Sequence, residues 1–389
     1  YSEGLKDHTL MEDLDRRLPF NSEGVCSIPN AEAITILTTL IKERLSQYFG
    51  DEINYNNFQV TGKVLCGQEL SRLIRLQIRS DRGKERPDIF VKMCPEWTTM
   101  NPAKLEYETL RLLHSELPLI RPDCGVARPL DFFPELNAYA MESVGENSLK
   151  PFLLRHNSRL QAASSLKELY LAITKSAIWL STFHRVTQSP EGKRFNHEVF
   201  VASLSEEFDY HCLRDFGFKK TTIIELERLI EEMTMLDGLF ELPCAKWHWD
   251  FTPAHVFFGK DKIFVIDILG YDDVPIYEDI GHFLAAMGTV NNFPFHPLYD
   301  RHRANEELAY IFTKAYQVES SQNESDLFLL ANIYKLKYLV NWFFAQHTRV
   351  SNKLGELGGK IFTLTRLIRV FEPPILHTIS KIKSQIRAL

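Results

Sequence analysis

Hydrophobic residues in the first part of the chain recur with two different periods. Over residues 31–49, Ala31, Ile34, Leu37, Leu40, Ile41 and Leu45 return at helical spacing, and Gly50 follows as a stop. The spacing predicts a helix that packs on the unit after it. Over 56–93 the period drops to two. Phe58-Gln59-Val60-Thr61 opens a strand, a turn is expected within 62–67, and Leu73 to Ile78 alternates as a strand should. Residues 79–86 read as a charged hairpin turn, and Asp88-Ile89-Phe90-Val91-Lys92-Met93 as a third strand. Residues 102–116 read as a helix, with Leu105, Leu110, Leu112 and Leu113 apolar and Glu106 and Glu108 acidic. Asp131-Phe132-Phe133 and Ala138-Tyr139-Ala140-Met141 then predict two strands around a turn at 134–137.

From residue 146 the pattern is mostly helical. Helices are expected over 160–186, 200–216, 221–236, 278–287, 305–316, 324–345, 360–370 and 375–389. One hairpin interrupts them, with strands at 256–258 and 263–266 and a turn at Gly259-Lys260-Asp261-Lys262. The class predicted is α+β: an extension over 1–50, a five-stranded antiparallel sheet with one helix over 51–145, and a helical region over 146–389.

Composition narrows the function classes. The chain has 389 residues, 44% of them hydrophobic and 25% charged, with a net charge of −6. That is an ordinary globular balance, with no basic excess to suggest nucleic-acid binding. No apolar run approaches the roughly 18 residues of a membrane span. The residues Tyr1-Ser2-Glu3-Gly4 do not read as a secretory signal. The six cysteines are scattered without a C-x-x-C pair, which predicts thiols in a reducing, cytoplasmic setting. Nothing in the pattern specifies an oligomeric state.

Candidate chemistry concentrates on the hairpin. Trp247-His248-Trp249-Asp250 precedes its first strand, and the second strand ends on Asp267, so both acids are expected at one end. Two carboxylates in different settings suit phosphoryl transfer: one accepts a proton from a hydroxyl and the other holds a metal that bridges phosphates. A kinase loop is written H-R-D-x-x-x-x-N with a later metal-binding Asp. His248 and Asp250 keep that spacing, while the Asn position holds His255. Lys92 is the lone charge between Ile89 and Met93, and burial there would require a partner such as Glu106. The blander readings are a hairpin with polar ends and a solubilising edge-strand lysine. His282, shortly after Asp279, reads as a packing residue, as do Trp342, Phe343 and Phe344. Glu231 and Glu232 read as a solvated helix face.

Taken in order, these residues resemble the aminoglycoside phosphotransferase and choline kinase-like group, relatives of the protein kinases. The resemblance covers about residues 55–290. Residues 60–78, with Gly67 and Ser71, look like the nucleotide-covering hairpin, without a G-x-G-x-x-G motif. Lys92 looks like the phosphate-binding lysine and Glu106 its helical partner. Met141, Glu142 and Val144, followed by Gly145-Glu146-Asn147-Ser148-Leu149, look like the hinge whose backbone would hold adenine. Leu180-Ser181-Thr182-Phe183-His184 and Tyr277-Glu278-Asp279-Ile280 resemble flanking motifs, the second with a structural Asp.

The resemblance implies a two-lobed protein-kinase-like fold and transfer of the γ-phosphate of ATP. Mg²⁺ is the expected ion, with Mn²⁺ as a variant. The acceptor would be a small hydroxyl compound: a sugar, polyol, aminoglycoside or choline-like alcohol, with a sugar or polyol favoured. Asp250 would take the acceptor proton, Asp267 would bind metal with His255 beside it, and His248 would brace the loop. Phe293, Phe295 and His296 are candidates for acceptor contacts. Three departures stand out: Trp249 where a small residue is usual, His255 for Asn, and Ile268-Leu269-Gly270 after Asp267. They keep a second reading open, a weak or inactive kinase-like binding protein. A third, an iron oxygenase or hydrolase using His248 and Asp250, would need a β-rich scaffold.

Overall fold

The computed structural model describes residues 29–50, 58–68, 71–80, 86–94, 101–145, 147–156, 163–205, 218–259, 262–270, 272–289, 301–353 and 357–389. They form two compact units: Tyr1–His114 with Ala127–Val144, and Ser115–Val126 with Gly145–Leu389.

The first unit is built on an antiparallel sheet of β1 (Phe58–Gln68), β2 (Ser71–Ser80) and β3 (Ile89–Met93). Further along the chain lie β4 (Cys124–Val126), β5 (Pro129–Phe133) and β6 (Ala138–Glu142). The sheet order is β1-β2-β3-β6-β5, and β4 pairs elsewhere. Alternation explains β2, where Ile74, Leu76 and Ile78 point to the core and the residues between them are only partly buried.

The helix Asn30–Phe49 covers this sheet. Ala33, Leu37, Ile41, Leu45 and Tyr48 form one buried stripe, packed with Ile74, Leu76, Ile78, Ile89, Val91 and Met93. Its C-terminal part is tied down by Arg44 and Tyr48, both bonded to Asp131. The turn expected within 62–67 is instead continuous strand. Gly62 does not bend the chain; it lets the covering helix approach. A Cβ at Gly62 would lie 2.6 Å from Ile34 Cγ2 and 3.0 Å from Leu76 Cδ2.

The second unit is mostly helical. Its strands are β7 (Lys193–Arg194), β8 (Glu241–Leu242), β9 (Cys244–Lys246), β10 (Val256–Phe258), β11 (Ile263–Val265) and β12 (Asp273–Pro275). The expected hairpin is present as the antiparallel pair β10–β11. Its partner was not evident from the pattern: β4 runs parallel to β11, and three residues are too few to show a period. Two helices were expected over 360–370 and 375–389. The chain instead forms one helix, Leu357–Ile386, through Pro373 and Pro374. Interior proline costs about 3 kcal/mol or more. Here the buried stripe Phe371, Ile375, Ile379, Ile382 and Ile386 continues across it. Glu372 adds two bonds, accepting from Lys219 N–H at 2.8 Å and Thr222 Oγ1 at 2.7 Å.

Three long helices meet at Glu306. Its carboxylate pairs with Lys335 at 2.8 Å, with His377 at 3.5 Å and with Lys381. Lys335 is 3% exposed, so its charge depends on this partner. Burial pushes the Glu306 carboxyl up, but His377, Lys335 and Lys381 outweigh it and hold it well below the usual range.

Two predictions follow from this packing. Gly62→Ala should lower stability by about 1–3 kcal/mol, and adding Ile34→Ala should return part of that loss in urea unfolding; additive effects would separate the two sites. A carboxyl depressed on folding binds fewer protons when native, so its stabilisation is present above about pH 4.5 and fades as pH falls below it. Glu306→Gln should cost about 3–5 kcal/mol at neutral pH and flatten the acid limb of the stability profile. An unchanged limb would remove Glu306 as a contributor.

Candidate active site

The loop between β9 and β10 is set from behind by a buried polar chain. Asp279, 1% exposed, accepts the backbone N–H of His248 at 3.1 Å and faces His184 Nε2 at 3.2 Å. His184 Nδ1 lies 2.8 Å from the Tyr316 hydroxyl. With Nε2–H donating to the carboxylate, Nδ1 accepts from Tyr316. Burial pushes the Asp279 carboxyl up, while the bonds from His184 and His248 oppose it. The His248 ring is wholly buried among Trp179, Phe183 and Phe251. Neither of its nitrogens has a partner among the described residues. Burial holds its pKa well below the ordinary value. The ring therefore packs on the inner side of the loop, away from solvent.

Trp249 and Asp250 lie on the exposed side of the loop. Trp249 adopts φ +76°, which explains why a small residue suits this position. Its ring lies against Trp247 with centroids 4.4 Å apart. Asp267, just past β11, also adopts a left-handed conformation, φ +64°. Non-glycine residues held there commonly mark functional sites. Ile266 N–H donates to the His255 carbonyl at 3.1 Å and fastens the two ends of the hairpin together.

His255 sits between the two acids. Its Nδ1 is 2.8 Å from the Asp250 carbonyl oxygen, which can only accept, so Nδ1 carries the proton. Nδ1 is also 3.3 Å from Asp250 Oδ2. The lone pair on Nε2 then faces Asp267 Oδ2 across 3.8 Å. Two acceptors at that separation favour a cation between them. One donor atom from each of Asp250, His255 and Asp267 falls within 4.8 Å of the others. Two carboxylates and an imidazole fit a divalent metal of the Mn²⁺ or Zn²⁺ type better than a purely oxygen-seeking ion.

In the first unit, Lys92 Nζ bonds Glu106 Oε2 at 2.8 Å, and the Tyr139 hydroxyl donates to the same oxygen at 2.9 Å. Glu106 is 2% exposed and Lys92 8%. The place of Tyr139 opposite Lys92 in the β3–β6 register explains why it reaches Glu106. Gly67 pairs with Arg72 and Ser71 with Gln68 where β1 and β2 approach their connection. Met141 pairs with Phe90 in β3. Glu142 N–H donates to Arg128 and Ser143 N–H to Asp88, both at 2.9 Å, while Val144 takes no part in these bonds. Phe293, Phe295 and His296 lie outside the described residues. Phe343 and Phe344 are core residues, but Trp342 touches the His282 ring. His282 Nε2 in turn lies 3.9 Å from Asp250 Oδ1. No motif pointed to that approach, which arises from helix packing.

A β1-β2-β3-β6-β5 sheet carrying a buried lysine–glutamate pair, and a helical unit with an acid-bearing hairpin, define an α+β fold of the protein-kinase-like class. No protein-family model matches the sequence, and no curated protein matches it. Solved structures do. Choline kinase from Cryptosporidium parvum aligns at 11% identity and a TM-score of 0.49, over 91% of this chain and 96% of that one. A choline/ethanolamine kinase family protein from Mesorhizobium loti aligns at 10% and 0.47, over 90% and 99%. Macrolide 2'-phosphotransferase from Brachybacterium faecium aligns at 12% and 0.48, over 86% and 98%. At these identities the likeness assigns no residue a role.

The His255 geometry sets an expectation for metal binding. Mn²⁺ should bind more tightly than Mg²⁺ by calorimetry, and His255→Asn should narrow the difference by weakening Mn²⁺. Equal Mn²⁺ affinity in the variant would take His255 out of the ligand set.

Proposed function

We propose that the chain is an ATP-dependent phosphotransferase that moves the γ-phosphate to a hydroxyl of a small acceptor, a sugar or polyol before an aminoglycoside or choline-like alcohol. The observation that carries the reading is the meeting of Asp250, His255 and Asp267 at one end of the β10–β11 hairpin, behind a loop that is rigidly held.

Asp250 presents a side chain that is 43% exposed. In this role it aligns the acceptor hydroxyl and receives its proton as the new O–P bond forms. Asp267, with His255, would hold a Mg²⁺ or Mn²⁺ ion. Such an ion, when bound, neutralises charge on the β- and γ-phosphates. Lys92, paired with Glu106, which also accepts from Tyr139, is assigned to the α/β-phosphates. Gly67 and Ser71 are assigned to the covering hairpin, and Met141, Glu142 and Val144 to the adenine. Positioning and charge stabilisation account for most of the rate in this chemistry. Among the described residues no helix is long and apolar enough to cross a membrane.

A second reading, nucleotide binding with little or no turnover, draws on His255. An imidazole hydrogen-bonded to the Asp250 backbone stands where a kinase site offers an amide oxygen. Turnover decides between the two. In the enzyme, Asp250→Asn should cut ADP formation by about 10²-fold or more with ATP affinity nearly intact. Asp267→Ala should instead weaken ATP binding only when metal is present. ATP binding without ADP formation in the unaltered protein would establish the second reading.

A further inference from the structure

The phosphotransferase reading leaves one buried group at the acid without a task. His282 lies on the helix Tyr277–Thr289, with its ring stacked on Tyr338 at 4.5 Å and 28° and edge-on to Trp342 at 4.9 Å. Tyr338 is itself anchored, its hydroxyl donating to Glu278 at 2.9 Å, and Glu278 is paired with Lys337 at 2.8 Å. The ring is therefore held in one orientation. Its Nδ1 is buried and has no hydrogen-bond partner among the described residues, while its Nε2 faces Asp250 Oδ1 at 3.9 Å.

A proton on Nδ1 would be a buried donor with no partner among the described residues, which is unfavourable. The neutral ring therefore carries its hydrogen on Nε2, toward Asp250. With the hydrogen on Nε2, that nitrogen has no lone pair left to take a proton from the Asp250 side. The 3.9 Å gap is too wide for a direct bond but suits one bridging oxygen at roughly 2.8 Å from each side.

Building on the phosphotransferase reading, we propose that His282 orients the acceptor: its Nε2–H donates to the acceptor oxygen while that oxygen's own hydrogen points to Asp250 Oδ1. The remaining lone pair then faces phosphorus. As the O–P bond forms and the bond to ADP breaks, the hydroxyl proton passes to Asp250, and none passes to His282. The arrangement selects the reacting group. A hydroxyl both accepts and donates, whereas a protonated amine has no lone pair to accept from Nε2–H. The substrate class is therefore an alcohol, and amino groups on the same molecule are excluded from the reacting position.

His282→Phe keeps the ring on Tyr338 and removes the donor. With ATP and Mn²⁺, and water or glycerol as the acceptor, it should lower ADP formation by about 10²-fold while leaving ATP affinity unchanged. His282→Gln, which restores an N–H, should recover part of the loss and serves if the Phe variant does not fold. Independently of activity, nitrogen NMR of the unaltered protein should find the ring hydrogen on Nε2. Unaltered turnover in His282→Phe, or the hydrogen on Nδ1, would overturn the inference and leave the phosphotransferase reading standing. An inert parent protein with hydrogen on Nε2 would overturn the phosphotransferase reading, and this role with it.

Discussion

Asp279 is a carboxylate in an apolar interior, and the geometry of the loop depends on how it is satisfied. An unpaired charge at that depth would be expensive. His184 and the backbone N–H of His248 supply the partners, and Tyr316 fixes the tautomer of His184 from behind. The same bonds that make the carboxylate tolerable pin the start of the loop to the helix Tyr277–Thr289. Trp179, Phe183 and Phe251 close round His248 and remove the remaining freedom. The left-handed Trp249 is held by these constraints, not by its own preference.

In front of this fixed loop, Asp250, His255, Asp267 and His282 gather. Asp250 is bracketed by two imidazoles, His255 toward Oδ2 and His282 toward Oδ1. The two differ in what they offer. His255 has its hydrogen engaged by the Asp250 carbonyl and turns a lone pair to Asp267. His282 turns an N–H to Asp250 and keeps its lone pair buried. One histidine is suited to a cation and the other to an oxygen, and the difference comes only from the neighbour of the opposite nitrogen. In the first unit Glu106 plays a comparable organising part, since one carboxylate oxygen orders both Lys92 and Tyr139.

Much of the architecture was legible from period and punctuation alone. The stripe of the helix Asn30–Phe49, the alternation of β2, the lone lysine of β3 and the β10–β11 hairpin each announce themselves within a few residues. That is because each is a local solution to burying one face. The acids Asp250 and Asp267 were placed at one end of the hairpin because a tight turn leaves little choice of register. Elsewhere local signals misled. Gly62 looked like a turn because glycine usually breaks strands, yet its role is to admit Ile34. The break expected between residues 370 and 375 falls at Pro373 and Pro374, yet buried contacts on both sides carry the helix through.

By itself, then, the sequence determined the class of the fold, the main strands and helix of the first unit and the hairpin that carries Asp250 and Asp267, since these rest on periodicity and on connections of a few residues. Tertiary structure alone decided the rest. β4 finds β11 across more than a hundred residues with no local signal. Tyr139 joins the Lys92–Glu106 pair through sheet register. His282 reaches Asp250 because Tyr338 and Trp342, from another helix, turn its ring that way. Such placements depend on which faces of distant elements meet, and hydrophobic spacing along one segment carries no record of its partner.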